Sequence, residues 1–414
     1  MTVHAPADLA PHMLDTAAAI ASARRAALAD RYAADSLIVE WLDLTQLDAI
    51  VEDWRDLAAR TLVPNAFYEP AFALAAAPAF GHGAGALLVW SGALPRKLLG
   101  LFPARIANRR YGLKLPVLVG WTHPYAPLGT PLVDREAAEP VIAAWLAHLA
   151  ENPALPGLVL LPFAPQDGPF AAALTIILRR LQMPSAEFNA HTRALLAPSA
   201  ARSAYLEHAL GGRKYRELRR TVRRLGESGS LSYSTATEPD AAATALDDFL
   251  ALEASGWKGN AGTAAACDEA VLGFVKAAVG GLAGEHKVAI DRLVLDGKPA
   301  AVGITLRSGD AAWFWKIAYD ENLARYSPGV ILISLVTERL AADTAIVSAD
   351  SCATADHAVI NRTWSERLAL CDLMIAVRPQ AHFARAERLE RLRNKTIGLA
   401  KQLRSLLRRS SPHR

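Results

Sequence analysis

Apolar and polar residues alternate with two different periods along the chain, and the changes of period divide it into elements. In the first half, short apolar or alternating runs bounded by Gly, Pro, Asp or Ser predict strands at 36–41, 86–90, 97–106, 115–120 and 157–161. Apolar residues at helical spacing predict helices at 47–62, 135–150 and 168–181. The first half is therefore expected to be a sheet with helices packed on it.

The second half repeats this order. Its predicted strands are 191–196, 231–236, 286–295, 300–307, 311–319, 345–348 and 368–377. Its predicted helices are 203–226, 240–255, 268–282 and 328–341. Turn residues separate three consecutive strands at 296–297 and 308–310, which favours an antiparallel run followed by a helix.

The repeated order predicts an α/β (α+β) protein of two tandem units, each a mixed, mainly antiparallel sheet flanked by helices. We expect a mobile, Ala-rich leader at 1–35, a first unit at 36–190 and a second unit at 191–379. A basic amphipathic helix or tail is expected at 380–414. A chain of 414 residues is long enough for two such units, each with its own core.

Composition narrows the class of protein. An apolar fraction of 52% with 21% charged residues is typical of a well-packed globular chain, and no apolar run approaches the roughly 18 residues that span a bilayer. The first residues lack the basic start and apolar core of a secretory signal, so a cytoplasmic location is expected. The three cysteines are too few and too far apart for a zinc cluster, so we expect reduced thiols and no metal.

The net charge of +4 is unevenly distributed. Residues 381–414 contain ten Lys and Arg against two Asp and Glu, a net +8, so the remaining chain carries −4. Leucines among these arginines favour a peripheral helix at the inner membrane surface, or else a packing helix with a basic outer face. A second cationic segment, 212–224, holds seven Lys and Arg. It suits a phosphorylated donor, a polyanionic acceptor or RNA, or it is a solvated face.

The segment 253–329 holds the residues best suited to chemistry. Ser327, Pro328 and Gly329 open a helix, where unpaired backbone N–H groups and the helix dipole favour an anion. On the preceding strand, Lys316 and Tyr319 are expected to face opposite sides, with Lys316 on the side of Phe314 and Ala318. An inward-facing aromatic core is the rival explanation of this strand.

These segments, 253–263, 316–320 and 325–329, resemble those of GNAT-related acyltransferases of the CelD type, relatives of the Fem-type aminoacyltransferases. The resemblance extends over about residues 36–379. It implies tandem GNAT-like units and direct transfer from acyl-CoA, although the glycine-rich pyrophosphate loop of the superfamily is degenerate here. The residues implied for the donor are Arg325, Tyr326, Ser327, Gly329 and Val330. Those implied for the acceptor are Trp257, Lys258, Thr263, Lys316 and Tyr319. The alternative for 255–259 is a helix C-cap with Trp257 in the core.

The loop 350–358 supplies a candidate general base. His357 is the histidine closest to the predicted cleft, and Asp350 or Asp356 would orient its ring. The alternative is a hydrogen-bond network within the loop. Cys352 is expected to be a small buried thiol rather than a nucleophile.

Together these observations predict an acyltransferase that moves an acyl group, most simply acetyl, from acyl-CoA to the amine or hydroxyl of a small-molecule or saccharide acceptor. The resemblance suggests a role in exopolysaccharide or cell-envelope biosynthesis. One alternative is a Fem-type aminoacyltransferase that uses aminoacyl-tRNA. Another is a non-catalytic protein that binds the polysaccharide machinery.

Overall fold

Most strands of the chain belong to one continuous mixed sheet. The computed structural model describes residues 37–198, 202–378 and 381–410, so the predicted leader 1–35 lies outside the described residues. Thirteen strands of the described part form this sheet. They are β1 (Leu37–Asp43), β2 (Ala84–Ser91), β3 (Leu98–Arg110), β4 (Leu113–Gly120), β5 (Leu132–Val133), β6 (Leu158–Pro165), β7 (Ser185–Leu196), β8 (Leu231–Ala236), β9 (Val288–Leu295), β10 (Lys298–Ser308), β11 (Ala311–Tyr319), β12 (Ser348–Asp350) and β13 (Glu366–Ala376).

Twelve α-helices of the described part lie on the two faces of this sheet. They are α1 (Val51–Ala59), α2 (Pro70–Phe80), α3 (Ala138–Glu151), α4 (Pro169–Arg180), α5 (Tyr205–Leu210), α6 (Gly212–Gly226), α7 (Pro239–Ser255), α8 (Trp257–Asn260), α9 (Glu269–Gly284), α10 (Pro328–Ala342), α11 (Ile360–Thr363) and α12 (Ala381–Ser410). None of these described helices has the length and apolar character needed to cross a membrane.

The order of the strands is symmetric about the centre of the sheet. It runs β1-β2-β3-β4-β6-β13-β7-β12-β11-β10-β9-β8, and β5 pairs with β3. Each half consists of four antiparallel strands followed by one parallel strand, β6 beside β4 and β12 beside β11. At the centre the units exchange their last strands: β13 of the second unit pairs with β6, and β7 of the first unit pairs with β12.

The predicted fold class is confirmed: the chain is a mixed α/β protein with a large mixed sheet flanked by helices, and each half repeats the same order. The sequence pattern did not reveal that the two sets of strands join in one sheet. The boundary predicted between residues 190 and 191 falls inside β7. β7 begins at Ser185, and the predicted start at 191 was too late. The first residues of this strand are largely exposed and polar, so they do not form the apolar run by which strands were predicted.

Four hydrophobic clusters build the core. One cluster covers a face of both halves and joins α1 and α2 of the first unit to α7 and α9 of the second. On the opposite face, α3 and α4 cover the first half, and α5, α10 and α11 cover the second. The fourth cluster lies under the first turns of α12. The units therefore share a core as well as a sheet.

The prediction of one continuous basic helix at 203–226 is wrong, because the structure has two helices there, α5 and α6. Gly211 separates α5 from α6 with φ of 72°, a left-handed conformation that ends the first helix. The second helix then starts in a new direction and carries the cationic segment.

The first turns of α12 pack on the sheet near its centre. Phe383, Ala386 and Leu389 contact the apolar face formed by β4, β6, β7 and β13. The carboxylate of Glu390 is buried, forms an ion pair with Arg110 and accepts a hydrogen bond of 2.8 Å from the Tyr111 hydroxyl. This part of the basic tail therefore belongs to the core, and membrane contact stays a prediction for the rest.

Two truncations separate these roles. Ending the chain after Gln380 should lower the free energy of unfolding by about 3 kcal/mol or more, because each large apolar side chain contributes about 1.5–3 kcal/mol by burial. Ending it after Thr396 keeps the packed turns and should retain the stability that their burial provides. Urea unfolding followed by tryptophan fluorescence measures both. Equal stability of the two truncated proteins would contradict this assignment.

A buried ion pair joins the first unit to the second at the centre of the sheet. Arg193 of β7 contacts Asp350 of β12, and their side chains are 3% and 5% exposed. Arg193 also donates a hydrogen bond of 2.9 Å to the carbonyl of Pro127. A second link is Lys287, whose ammonium lies 2.8 Å from Glu69 and 2.7 Å from Glu285.

Removing one partner of the buried pair should be costly. Asp350→Ala leaves Arg193 charged, buried and unpaired, so the free energy of unfolding should fall by about 3–5 kcal/mol. The control is Asp247→Ala, which breaks an exposed pair with Lys276 at 3.4 Å and should cost under about 1 kcal/mol. Urea unfolding of both variants tests the difference. A loss at Asp350 no larger than the control would refute the structural role of the pair.

Candidate functional site

The sheet opens between β11 and β12. In these parallel strands, residues Ala311 to Trp313 pair with Ser348 to Asp350. β11 then continues to Tyr319 without β12, while its other edge still pairs with β10. Beyond Asp350 the chain turns towards β7, where the N–H of Ser351 donates to the carbonyl of Ala194 at 3.2 Å. The outer backbone edge of β11 after Trp313 is therefore not covered by β12 and can pair with an extended ligand.

A β-bulge lies at the start of this opening. Ile304 of β10 pairs with Lys316, and the next residue, Thr305, pairs with Phe314, so Trp315 is an extra residue on β11. The bulge corrects the predicted alternation: Phe314 packs in the cluster under α10, on the opposite face from Ala318. Lys316 and Tyr319 do face opposite sides of the sheet. The ammonium of Lys316 lies over Tyr125, and the ring of Tyr319 lies against Gly329.

Lys316 is the most perturbed cation of the opening. Its ammonium lies 3.8 Å from the centre of the Tyr125 ring and 5.7 Å from that of Trp315, which is cation–π geometry. Burial, and next the charge of Lys258, lower the pKa of Lys316 to about 8. No carboxylate of the described residues forms an ion pair with it. The group is therefore mainly an ammonium at pH 7, and the largest acidic influence on its pKa is the charge of Glu253, with which it forms no ion pair.

The predicted acceptor residues of 253–263 surround a buried carboxylate. Glu253 is 6% exposed, lies 2.8 Å from the ammonium of Lys258 and accepts a hydrogen bond of 2.9 Å from the N–H of Ala265. The hydroxyl of Thr263 donates to the carbonyl of Lys258 at 3.3 Å, so it fixes the loop. Of the alternative interpretation of this segment, the helix C-cap is confirmed at Gly256, which follows the last residue of α7, but the core position of Trp257 is wrong, because this residue is 60% exposed.

The start of α10 lies on the other side of β11. Ser327 is the N-cap residue of this helix, with left-handed φ and ψ of 51° and 53°, and its side chain makes no capping hydrogen bond. Its carbonyl instead accepts from Val330 at 3.0 Å. Gly329 is buried, and a Cβ there would lie 3.0 Å from the ring of Tyr319. Within the described part of the chain, the N–H of Gly329 has no acceptor.

The remaining two donor residues precede this helix. The guanidinium of Arg325 lies 4.7 Å from the centre of the Tyr326 ring. Tyr326 packs against the cluster under α10, and Val330 lies in the first turn of that helix. The structure therefore brings the five predicted donor residues together, and their role stays a prediction.

The predicted catalytic residues of 350–358 are not brought together as a triad. Asp350 is engaged by Arg193 and by the N–H of Cys352 at 2.9 Å, so it does not orient the ring of His357. His357 is exposed, and its Nδ1 accepts from the N–H of Ile360 at 3.4 Å. Asp356 is exposed in the same loop. Burial raises the pKa of the Cys352 thiol well above its usual value, which agrees with an unreactive thiol.

The first unit contributes two residues that the sequence patterns did not single out. His123 and Tyr125 lie on the loop after β4, and the carbonyl of Tyr125 accepts a hydrogen bond of 2.8 Å from the indole of Trp315. His123 is stacked on Phe80 with ring centres 4.3 Å apart. Its two ring nitrogens are buried without a hydrogen-bond partner in the described structure, and burial lowers its pKa to about 3. The available signal was a histidine directly before Pro124 and a tyrosine between Pro124 and Pro127, shortly after a strand.

No three His, Cys, Asp or Glu side chains of the described residues converge to hold a metal ion. In the described structure, the opening is instead lined by the unpaired ammonium of Lys316, the ion pair of Glu253 with Lys258, and the aromatic rings of Tyr125 and Trp315. Such a surface suits a polarised carbonyl group, because preorganised cations and N–H groups stabilise developing negative charge.

Known proteins resemble one segment of the chain in sequence and most of it in fold. Residues 212–354 match the family model described as an acetyltransferase (GNAT) domain. A comparison with curated proteins finds no match. The chain is similar to the C-terminal domain of a putative lysylphosphatidylglycerol synthetase from Agrobacterium fabrum, with 13% identity, 83% of this chain and 96% of that chain covered, and a TM-score of 0.52.

Two further solved structures are similar over most of the chain. FemX has 7% identity, with 85% of this chain and 100% of that chain covered and a TM-score of 0.54. A tandem GNAT protein from the clavulanic acid biosynthesis pathway has 13% identity, with 83% and 99% covered and a TM-score of 0.37. At such identities, likeness to these structures concerns the fold. The chain shares the fold of FemX, and its residues 212–354 match the GNAT acetyltransferase domain.

Proposed function

We propose that the chain transfers an acyl group from the thioester of acyl-CoA to the amine or hydroxyl of a small-molecule or saccharide acceptor. The observation that carries this proposal is the uncovered edge of β11 beside the unpaired ammonium of Lys316. An extended thioester arm can hydrogen-bond to such an edge as an added strand. Its carbonyl would then lie next to a cation.

The donor side fits the phosphates of coenzyme A in part. Gly329 offers an open N–H at the positive end of α10, and Arg325 adds a cation immediately before this helix. Pro328 has no N–H, and that of Val330 is already bonded to Ser327. Few backbone donors are thus left for a pyrophosphate, as the degenerate loop led us to expect.

Lys316 is the proposed electrostatic group of the reaction. When the acceptor nitrogen or oxygen attacks the thioester carbonyl, a C–N or C–O bond forms and negative charge develops on the carbonyl oxygen. The C–S bond then breaks, and the proton lost by the acceptor ends on the departing thiolate. The Lys316 ammonium would stabilise the oxyanion, because in this half-buried site the charge is poorly screened by water.

The acceptor is proposed to bind on the same face, between Lys258, Trp257 and the loop of the first unit that carries Tyr125. Trp257 presents an exposed ring, suited to stacking on a sugar or an apolar chain. Proton removal by His357 stays a prediction, with one ring nitrogen engaged at Ile360. A role in exopolysaccharide or cell-envelope biosynthesis also stays a prediction.

One alternative keeps a specific observation in its favour. FemX and the domain of a putative lysylphosphatidylglycerol synthetase are similar to this chain with TM-scores above 0.5. A Fem-type aminoacyltransferase would use aminoacyl-tRNA, and the cations of α6 would then contact RNA. A thermal-shift comparison of acetyl-CoA with aminoacyl-tRNA separates the two donors, because a ligand of the folded state raises its apparent stability.

Replacing Lys316 tests the catalytic proposal. Lys316→Met should lower kcat about 100- to 1,000-fold with little change in the KM of the donor, because the charge acts mainly in the transition state. Lys276→Met is the matched control, since Lys276 is 54% exposed and forms a surface ion pair. Steady-state acetyl transfer measures both. If kcat of Lys316→Met stays within threefold of the parent, another group stabilises the oxyanion.

The pH dependence gives a second readout of the same group. The active form is the ammonium, which predominates below its pKa of about 8 and loses its proton above it. The rate of the parent should therefore fall as pH rises through this value, and this fall should be absent in Lys316→Met. A parent rate that instead increases through pH 8 would make the neutral amine the active form.

Gly329 tests the donor side. Gly329→Ala should weaken acetyl-CoA binding about tenfold or more, because the new Cβ forces the ring of Tyr319 to shift at the helix start. Gly273→Ala in α9 is the control, since nothing lies within 4 Å of a Cβ there. Titration calorimetry with acetyl-CoA measures both affinities. Equal affinities of the two variants would move the donor away from α10.

A further inference from the structure

We propose that α6 is the docking surface for an acidic carrier protein that presents the acyl group as a phosphopantetheine thioester. This inference rests on the proposed function and adds a second class of donor to acyl-CoA. The reaction is unchanged: the acceptor forms the new bond to the carbonyl carbon, the C–S bond breaks, and the phosphopantetheine thiol takes the proton. In this donor the carrier stands in place of the nucleotide part of coenzyme A, and acetyl-CoA remains a donor that binds at α10.

α6 has an apolar stripe that faces the core and an outer surface that consists mainly of cations. Its inner stripe packs towards the core: Leu225 is buried, and Val222 contacts the cluster under α10. All seven cations of the helix are exposed: Arg213, Lys214, Arg216, Arg219, Arg220, Arg223 and Arg224. Because the apolar stripe is already covered, the outer surface is a row of charge without an apolar patch.

This charge is little compensated within the protein. Among the described residues, Arg223 pairs with Glu227 at 3.3 Å, and these side chains are 70% and 64% exposed. Arg219 acts on Glu338 of α10, where it opposes the rise in pKa that burial causes. The outer cations at 213, 216 and 220 form no ion pair with the described residues. Such a row repels itself and gains energy when an anionic partner binds.

The position of α6 connects it to the opening. The helix packs against the 3-10 helix Glu321–Tyr326 and against α10, the two elements that meet at the predicted donor site. Arg325 belongs to that 3-10 helix and extends the cationic surface towards Gly329. A partner seated on α6 is thus beside the entrance to the uncovered edge of β11.

The length of the row favours a macromolecular partner. From residue 213 to 224 the helix rises about 16 Å, which is longer than one pyrophosphate needs. An acidic helix presents carboxylates about 5–6 Å apart at i, i+3 and i+4, which matches the arginine spacing and allows bidentate contacts. Single-stranded RNA sites add aromatic platforms, whereas the aromatic ring of α6, Tyr215, lies half-buried in the inner stripe.

The test compares two variants that each lose three positive charges. One is Arg213→Gln/Arg216→Gln/Arg220→Gln on α6. The control is Arg96→Gln/Arg105→Gln/Arg109→Gln, at exposed positions of the first unit. The probes are an acyl carrier protein with its phosphopantetheine arm, the same carrier loaded with acetyl, and acetyl-CoA. Binding is measured by fluorescence anisotropy at 50 and 300 mM salt, and transfer by initial rates.

We expect the parent and the control to bind the carrier, more weakly at high salt because screening shortens the range of the charges. The α6 variant should bind it at least tenfold more weakly, and its kcat/KM with acetyl-carrier should fall equally. Its kcat/KM with acetyl-CoA should change less than threefold. This pattern would separate carrier docking from a general loss of activity.

Three results would overturn the inference. A parent that does not bind the carrier would rule out a carrier as the partner of α6. An equal loss with carrier and acetyl-CoA would place the phosphates of coenzyme A on α6. Unchanged carrier binding in the α6 variant would place the docking surface elsewhere. By contrast, carrier binding through α6 without transfer from either thioester would refute the proposed function alone.

Discussion

The buried ion pair between Arg193 and Asp350 fixes the place where the sheet opens. Asp350 is the last residue of β12 that pairs with β11, and its ion pair with Arg193 of β7 anchors the point beyond which the chain leaves β11. The start of the opening is therefore fixed, because moving it would separate the ion pair and leave an unpaired charge in the interior, which costs folding free energy. The bulge at Trp315 lies immediately beyond it, so the two features together place Lys316 at the uncovered edge.

The site belongs to both units even though the acetyltransferase match covers only the second. Tyr125 supplies the ring beneath the ammonium of Lys316, and its carbonyl holds the indole of Trp315. The loop that carries Tyr125 is itself held at Pro127 by Arg193. One arginine thus orders both the end of β12 and the contribution of the first unit. The first unit acts here as a wall of the site.

Local patterns predicted most elements, because strand and helix periods depend on neighbours in sequence. The helix at Pro328–Ala342 and the strand at Ala311–Tyr319 were predicted nearly to the residue, since turn residues and a proline mark their ends. The face of Phe314 was not predicted, because the extra residue Trp315 in the same strand breaks the period of two. Pairing of β13 with β6 was also hidden, since a strand pattern does not specify its partner. Asp350 was singled out as catalytic because a carboxylate after a strand has the same appearance whether it binds a substrate or an arginine.

The exchange of the last strands has a consequence for biosynthesis. The edge of β6 is covered by β13, whose residues 366–376 emerge from the ribosome some 200 residues after β6 itself. During that interval the first unit presents an unpaired, apolar strand edge, which is a template for aggregation. Closing so long a loop also makes folding slow relative to a protein of local contacts. Productive folding of this chain therefore requires that the edge of β6 be protected until β13 has been synthesised. This requirement comes from the strand order and is independent of the proposed reaction.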